Sequence, residues 1–246
     1  MIDHYDWRGG REAMLRFGPA NGPIVVIAMP LFEEANRTRA FVVTLCRALA
    51  TRGVASALPD LPGQGESLVP LEALRLSDLE DAYEGAVDGF WRQGRETYGV
   101  AIRSGALFDG GVELHGHWHL APQDGPELFR ELTRIKQASL GAATRLDEFW
   151  HLDATARDGG LGSSIELAGN RILAELLTEL KIPALYEPDD DEDAPLRTVR
   201  LDTDRKPADR HVPGTPLWRR AEPGNDPALA ALLADDVAAW IARCGG

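Results

Sequence analysis

Three histidines alternate in the segment Leu114-His115-Gly116-His117-Trp118-His119. Side chains two apart on a strand share a face, and imidazole is a common zinc ligand, so the spacing invites a metal reading. Alternate positions on one strand nevertheless lie about 7 Å apart, too far for all three rings to reach one ion unless the chain bends at Gly116. With no H-E-x-x-H helix to assist, the favoured reading is polar residues at a strand end lining a cleft, with His117 as a ligand-binding candidate and no metal or other cofactor expected. A metal-dependent enzyme using His115, His117 and His119 is kept as an alternative. A second candidate is Ala101-Ile102-Arg103-Ser104-Gly105. A nucleophilic serine sits on a sharp strand-to-helix turn with small residues two places before and after it, the G-x-S-x-G pattern. The spacing of small residues puts Arg103 at the centre. Sliding by one makes Ser104 the nucleophile, but leaves Ile102 and Ala106 at the two positions where small residues or glycine belong.

The elements that must carry these residues alternate between strand and helix. Glu12 to Phe17 reads as an edge strand and Ile24 to Met29 as a short, uniformly apolar one, covered on both faces. A helix is predicted from about Asn36 to Thr51, with Phe41, Leu45 and Leu49 on one face and Gly53 past its end. Val54 to Leu58 and Tyr98 to Arg103 are strands flanking a helix over Leu76 to Trp91, for which Ser77 is an N-cap candidate. Val112 to Trp118 is a further strand and Pro126 to Ala142 a helix. Residues around Gly169-Asn170 read as a tight hairpin or as a strand entering a helix. Thr198 to Asp202 is a late strand, Leu217-Trp218 belongs to or follows the last one, and Pro227 to Ala242 closes the chain as a helix initiated at Asn225-Asp226. Such alternation predicts an α/β domain with a mostly parallel central sheet flanked by helices, because parallel strands need helical crossovers. One domain spans 1–246, with a cap-like insertion over 121–180.

Placed on this frame, Pro30-Leu31-Phe32-Glu33-Glu34-Ala35-Asn36-Arg37-Thr38-Arg39 follows the Ile24 strand, at the end where open α/β sheets bind ligands. Glu33, Glu34, Asn36 and Arg37 are therefore ligand-binding candidates. The alternative is helix capping by Asn36, with the two glutamates paired to Arg37 and Arg39. Arg103 joins the set, since a guanidinium can hold a carboxylate or phosphate through two hydrogen bonds. Ser104 is the candidate nucleophile and Asp202 the candidate acid, with Asp204 beside it. No histidine lies in Pro216 to Pro223, before the final helix, and His211 precedes Pro213-Gly214. A Ser-His-Asp triad is thus not legible, and an acid without its imidazole has nothing to orient. A serine esterase or thioesterase would need an unconventional base such as His117 or His119.

The turn Asp60-Leu61-Pro62-Gly63-Gln64-Gly65-Glu66-Ser67 directly after a strand resembles the D-x-x-G-x-G-x-S turn of α/β-hydrolases, where it shapes the fold. More specifically, the chain resembles the exosortase A system-associated hydrolases, of the type called hydrolase 2. The residues that carry this are the Pro30–Arg37 segment, Leu58-Pro59-Asp60-Leu61-Pro62-Gly63, Ile102-Arg103-Ser104-Gly105-Ala106, Gly125-Pro126-Glu127-Leu128-Phe129, Ile165-Glu166-Leu167-Ala168-Gly169 and Gly214-Thr215-Pro216-Leu217-Trp218. The resemblance implies an α/β-hydrolase fold and a bacterial accessory role beside exopolysaccharide production and exosortase-dependent sorting. It also implies an arginine in the elbow, which Arg103 matches, whereas the family's tryptophan-containing motif before the middle helix is replaced by the His115–His119 stretch. Fold does not imply activity. The expected protein is one that binds an acyl, glycosyl or peptide ligand, or a protein partner, at the strand ends.

A formal net charge of −13 argues against nucleic acid or anionic membranes as partners, because both are bound through basic patches. Part of that acidity is the run Asp189–Asp193, read as a solvated loop. The longest apolar stretch near the start, Ile24 to Phe32, is interrupted by a proline and far too short to span a bilayer. No basic segment precedes an apolar one at the N-terminus, and two cysteines, Cys46 and Cys244, make no disulfide framework, so a cytoplasmic location is expected.

Overall fold

In a computed structural model the described residues are 1–140, 164–167, 169–189 and 194–245. The main-sheet strands are β1 (Ile2–Trp7), β2 (Gly10–Phe17), β3 (Ile24–Ala28), β4 (Ala55–Pro59), β5 (Thr97–Ile102), β6 (His117–Leu120), β9 (Leu196–Leu201) and β10 (Arg210–Val212). They form one sheet in the order β1-β2-β4-β3-β5-β6-β9-β10. The first two pairings are antiparallel and all others parallel. β3, β4, β5 and β6 are buried at every position, as strands covered on both faces must be. One cover consists of α1 (Glu33–Thr51) and α5 (Pro227–Cys244), which pack Phe41, Leu45, Leu49, Val237 and Trp240 against Val25, Ile27, Val100 and Trp118. On the other face α2 (Leu76–Trp91) sets Leu79, Tyr83, Val87 and Phe90 against Val26, Ala28 and Ala101.

Between β6 and β9 the chain forms α3 (Gly125–Leu140), an antiparallel hairpin of β7 (Ser164–Leu167) and β8 (Asn170–Leu173), and α4 (Ala174–Glu179). The hairpin alternative for Gly169-Asn170 is the one realised, with Gly169 at φ 81° in the turn. Ile165, Leu167, Ile172, Leu176 and Leu177 add to the α2-side core. The middle of the 121–180 stretch and most of the acidic run 189–193 lie outside the described residues.

Several elements differ from expectation for identifiable reasons. β2 is an inner strand, because β1 pairs along its whole length; the mixed polar sequence Ile2-Asp3-His4-Tyr5-Asp6-Trp7 hides a strand that buries only Tyr5. α1 begins at Glu33, three residues before Asn36, so Glu33 and Glu34 lie in its first turn, where carboxylates suit the helix dipole. Arg75, not Ser77, precedes α2, and its amide donates to the Asp78 carboxylate (2.8 Å). The sixth strand starts only at His117, and the last strand is Arg210–Val212, with Leu217–Arg219 forming a 3₁₀ turn after it. The turn after β4 follows its sequence reading. Gly63 and Gly65 have φ of 73° and 55°, a Cβ on Gly65 would meet the Asp60 carboxyl at 2.4 Å, and Ser67 Oγ accepts from the Gly63 amide.

A polar pin fastens α5 to the sheet. The buried Asp236 carboxylate accepts from Trp118 Nε1 (2.9 Å), Arg197 Nε and Nη2 (2.7 and 2.8 Å) and Arg210 Nη1 (2.6 Å). Burial alone would raise its pKa, but the bonds from Arg197, Trp118 and Arg210 outweigh that and hold it well below the ordinary 3.8. Such a depressed native pKa contributes stability that is fully present above the unfolded-state value and is lost progressively as pH falls from there through the native value. Asp236→Asn is expected to cost about 3 kcal/mol at pH 7, the scale for breaking a buried ion pair. Urea unfolding should show that deficit shrinking below about pH 4, where the wild-type carboxylate begins to protonate in the unfolded chain.

Candidate functional site

The end of β5 turns sharply at Arg103, which has φ 56° and opens a 3₁₀ turn over Arg103–Leu107. Among the described residues three non-glycines adopt positive φ: Phe32 after β3, Arg103 after β5 and Ala121 after β6. All three stand at the C-terminal ends of neighbouring parallel strands. Each such conformation costs on the order of 1–3 kcal/mol and clusters where a site is being shaped. The neighbours of Arg103 fit the small-x-centre-x-Gly pattern. A Cβ on Gly105 would lie 2.2 Å from the Ala28 carbonyl oxygen, so only glycine lets the turn pack on β3. Arg103 therefore occupies the elbow.

Its guanidinium is held from several sides. Nε and Nη2 donate to the two oxygens of Glu34 (3.1 and 3.3 Å), Nη2 also reaches Glu131 (3.4 Å), and Nη1 donates to the Ala121 carbonyl (3.3 Å). The Trp218 ring lies 5.1 Å from the guanidinium carbon, within cation–π range. Glu131 also accepts from Gln123 Nε2 (2.7 Å). Burial raises the Glu34 pKa, and the adjacent Arg103 charge and hydrogen bonds oppose that rise. The two-bond edge that could have gripped a ligand carboxylate or phosphate is thus occupied by Glu34.

Ser104 is fully buried, and its Oγ accepts from the Leu31 amide (2.9 Å). That amide belongs to the loop between β3 and α1, the segment that supplies an oxyanion-hole donor in hydrolases of this elbow type. Among the described residues no histidine hydrogen-bonds to Ser104. Asp202 is exposed at the end of β9, and the residues from Pro213 to Asp226 include no histidine. His211 lies in β10, exposed, with Nε2 3.1 Å from the Lys206 carbonyl. Among the described residues no hydrogen bond links Ser104, Asp202 and a histidine. Of the α1 candidates, Glu33 pairs with Arg37 (3.6 Å), Arg37 also donates to the Trp218 carbonyl (3.1 Å), and Asn36 is exposed. Only Glu34 reaches the elbow.

The histidines separate. Because the strand begins after Gly116, His115 lies outside it; its ring stacks on Trp91 (4.7 Å), and Nδ1 accepts from the Thr97 amide (3.2 Å). His117 and His119 share a face of β6 and converge on Asp109, a residue the sequence reading did not single out. His119 Nε2 is 2.9 Å and His117 Nδ1 3.2 Å from the same carboxylate oxygen. Burial would raise the Asp109 pKa, but its interactions with His119 and His117 outweigh that and lower it to about 2. The Phe108-Asp109-Gly110 turn gave no periodic signal; only its proximity to the elbow could have drawn attention to it.

Above Arg103, at the ends of β5, β6 and β9, lies a cleft of about 340 Å³. It is lined by the cationic Arg103, Arg130, Arg134, Arg200, Lys206 and Arg219 and by the acidic Glu127, Glu131 and Asp204. Arg200 pairs with Asp204 (2.8 Å), and Lys206 with Glu127. Among the described residues Arg130, Arg134 and Arg219 have no acidic partner, and all three are exposed at the rim. The buried Gln123 also lines the cleft, and its Oε1 has no hydrogen-bond partner.

No protein-family model and no curated protein matches the sequence. Solved structures do match in three dimensions. Est1E from Butyrivibrio proteoclasticus, with ferulic acid bound, aligns over 98% of this chain and 98% of its own, with a TM-score of 0.62 and 14% identity. A protein of unknown function from Agrobacterium tumefaciens, a candidate α/β-hydrolase, aligns over 99% of this chain and 95% of its own, with a TM-score of 0.51 and 13% identity. The chain has the α/β-hydrolase fold, and at these identities the likeness extends to the fold alone. No helix among the described residues is long and apolar enough to cross a membrane.

The Arg103–Glu34 pair makes a measurable claim. Arg103→Ala strands a buried carboxylate and is expected to cost about 3 kcal/mol, whereas Arg103→Ala with Glu34→Ala should cost less than the sum of the single changes. A double-mutant cycle by urea denaturation measures this coupling; additive losses would show the pair to be energetically independent.

Proposed function

We propose that this chain is an α/β-hydrolase-fold protein that binds an anionic small molecule in the cleft at the strand ends, without hydrolysing it through a Ser-His-Asp triad. One observation carries the reading: the cleft brings six cations against three acids in a protein whose net charge is −13, and three of those cations have no acidic partner among the described residues. A low-dielectric concavity with one sign in excess concentrates ligands of the opposite sign. The floor supports the same view, since an arginine stands at the elbow and the hydroxyl of Ser104 is engaged by the Leu31 amide. Phosphate or carboxylate groups on an acyl or glycosyl carrier fit this chemistry. An elbow arginine is also what the resemblance to the exosortase-associated hydrolases implies, and an accessory role in that system is the physiological setting we propose.

Isothermal titration with inorganic phosphate and with a sugar phosphate tests the site. Binding should weaken with salt, and Arg130→Gln or Arg219→Gln should each lower affinity by about three- to tenfold, or about 0.7–1.4 kcal/mol. Absence of binding, or affinity unchanged by either substitution, would remove the reading.

A second reading, a serine esterase using Ser104, draws on one observation: its Oγ lies beside an oxyanion-loop amide in the α/β-hydrolase fold. It requires labelling by a fluorophosphonate probe and p-nitrophenyl ester turnover that Ser104→Ala abolishes. We expect neither.

A further inference from the structure

Beneath the elbow, and apart from the cleft, lies the cluster of Asp109, His117 and His119. These side chains are 0%, 2% and 1% exposed. Each presents one ligand atom, and the three atoms lie within 4.8 Å of one another. Two imidazole nitrogens crowd one carboxylate oxygen, at 2.9 and 3.2 Å, while the other oxygen of Asp109 is buried with no hydrogen-bond partner. His117 Nδ1 likewise makes no hydrogen bond of acceptable geometry. Among the described residues no lysine or arginine lies within ion-pair distance of Asp109. A buried carboxylate without a cationic partner is strongly disfavoured, and a bound cation would supply the balancing charge.

From this juxtaposition the geometry points to a divalent transition-metal site held by Asp109, His117 and His119. Two nitrogens and one oxygen are a donor set suited to zinc. Ligand atoms bonded at 2.0–2.2 Å in a tetrahedral site stand roughly 3.3–3.5 Å apart. The observed Asp–His separations reach that range by opening a few tenths of an ångström. The three groups stand on two supports. Asp109 follows the 3₁₀ turn of the elbow, the histidines are spaced by two on β6, and the Tyr186 ring stacks on His117 at 3.9 Å. A metal there joins the segment leaving the elbow to the neighbouring strand. Three protein ligands leave the fourth tetrahedral position to a water, and because the ligands are buried and absent from the cleft lining, the metal would hold the two segments together rather than meet a substrate in the cleft. This inference stands independently of the anion-binding proposal.

The experiment is zinc titration of the intact chain after chelator treatment and gel filtration. Titration calorimetry, elemental analysis of the recovered complex and the visible spectrum of the cobalt-substituted protein are the readouts. One equivalent of zinc per chain, a tetrahedral cobalt spectrum and a raised Tm are expected. His119→Gln and Asp109→Asn should weaken binding by more than about 100-fold, since losses in the outer shell alone reach about 10–100-fold. His115→Gln and His211→Gln should leave it unchanged. Far-UV circular dichroism separates a lost site from a lost fold, and if His119→Gln unfolds, His117→Gln and the wild-type cobalt spectrum carry the test. Folded wild-type protein that takes up no zinc, or zinc binding that survives the Asp109 and His119 changes, overturns the inference.

Discussion

A guanidinium at the strained end of a buried strand has to be neutralised where it stands, and much of the site follows from how that is done. Arg103 takes its bidentate partner from the first turn of α1, a second carboxylate from α3, a carbonyl from the end of β6 and an aromatic face from Trp218. Four segments distant in sequence are therefore fixed relative to β5 by one side chain. The cost of removing Arg103 and Glu34 from water is met only if both hydrogen-bond edges are used and the surrounding groups are well placed. That demand accounts for Glu34 lying in the opening turn of a helix, where a carboxylate is favoured before Arg103 is considered. It also accounts for Ala121 at φ 46°, whose carbonyl must face the guanidinium.

Satisfying Arg103 internally changes what the cleft above it can do. A side chain with its polar edges committed is a poor ligand hand but a good floor. In the function proposed above, recognition falls to the rim cations Arg130, Arg134 and Arg219. Ser104 is affected by the same arrangement. With the elbow centre given to arginine, the serine falls one place further on, into the buried 3₁₀ turn, and its hydroxyl engages the loop amide that would otherwise be open to an oxyanion. Arginine and serine are thus two consequences of one register, set by Ala101 and Gly105 packing against the end of β3.

The parallel sheet, both long early helices, the glycine turn after β4 and the elbow register were legible because each rests on local pattern: continuous apolar runs, four-residue spacing, or glycines at fixed offsets. β1 was not legible, since an edge strand that buries only Tyr5 has no apolar alternation to display. The start of α1 was missed because Phe32, a bulky residue at φ 57°, is a poor signal for a helix boundary. The site was legible in part. Arg103 and Glu34 were recognisable as unusual, but their pairing spans 69 residues and belongs to tertiary structure. The histidine repeat reads as a single face, yet β6 starts at His117, five residues after the expected Val112, so His115 lies against Trp91 and the other two rings meet Asp109.

That shift bears on why β6, only four residues long, can hold a fixed place in the middle of the sheet. Its alternating side chains are polar-anchored on both faces. His117 and His119 point to Asp109 on the elbow side, while Trp118 on the opposite face donates to Asp236 of α5. A slip of one residue would exchange the two faces, presenting an indole to Asp109 and imidazoles to an aspartate already holding two arginines. Neither exchange satisfies the buried groups. Hydrophobic burial alone would tolerate such slippage better, because Trp118 and Leu120 are bulky enough to fill either core. The register of β6 is therefore specified by two buried aspartates, and through β6 so are the positions of Ala121 and of the cleft wall that faces Arg103.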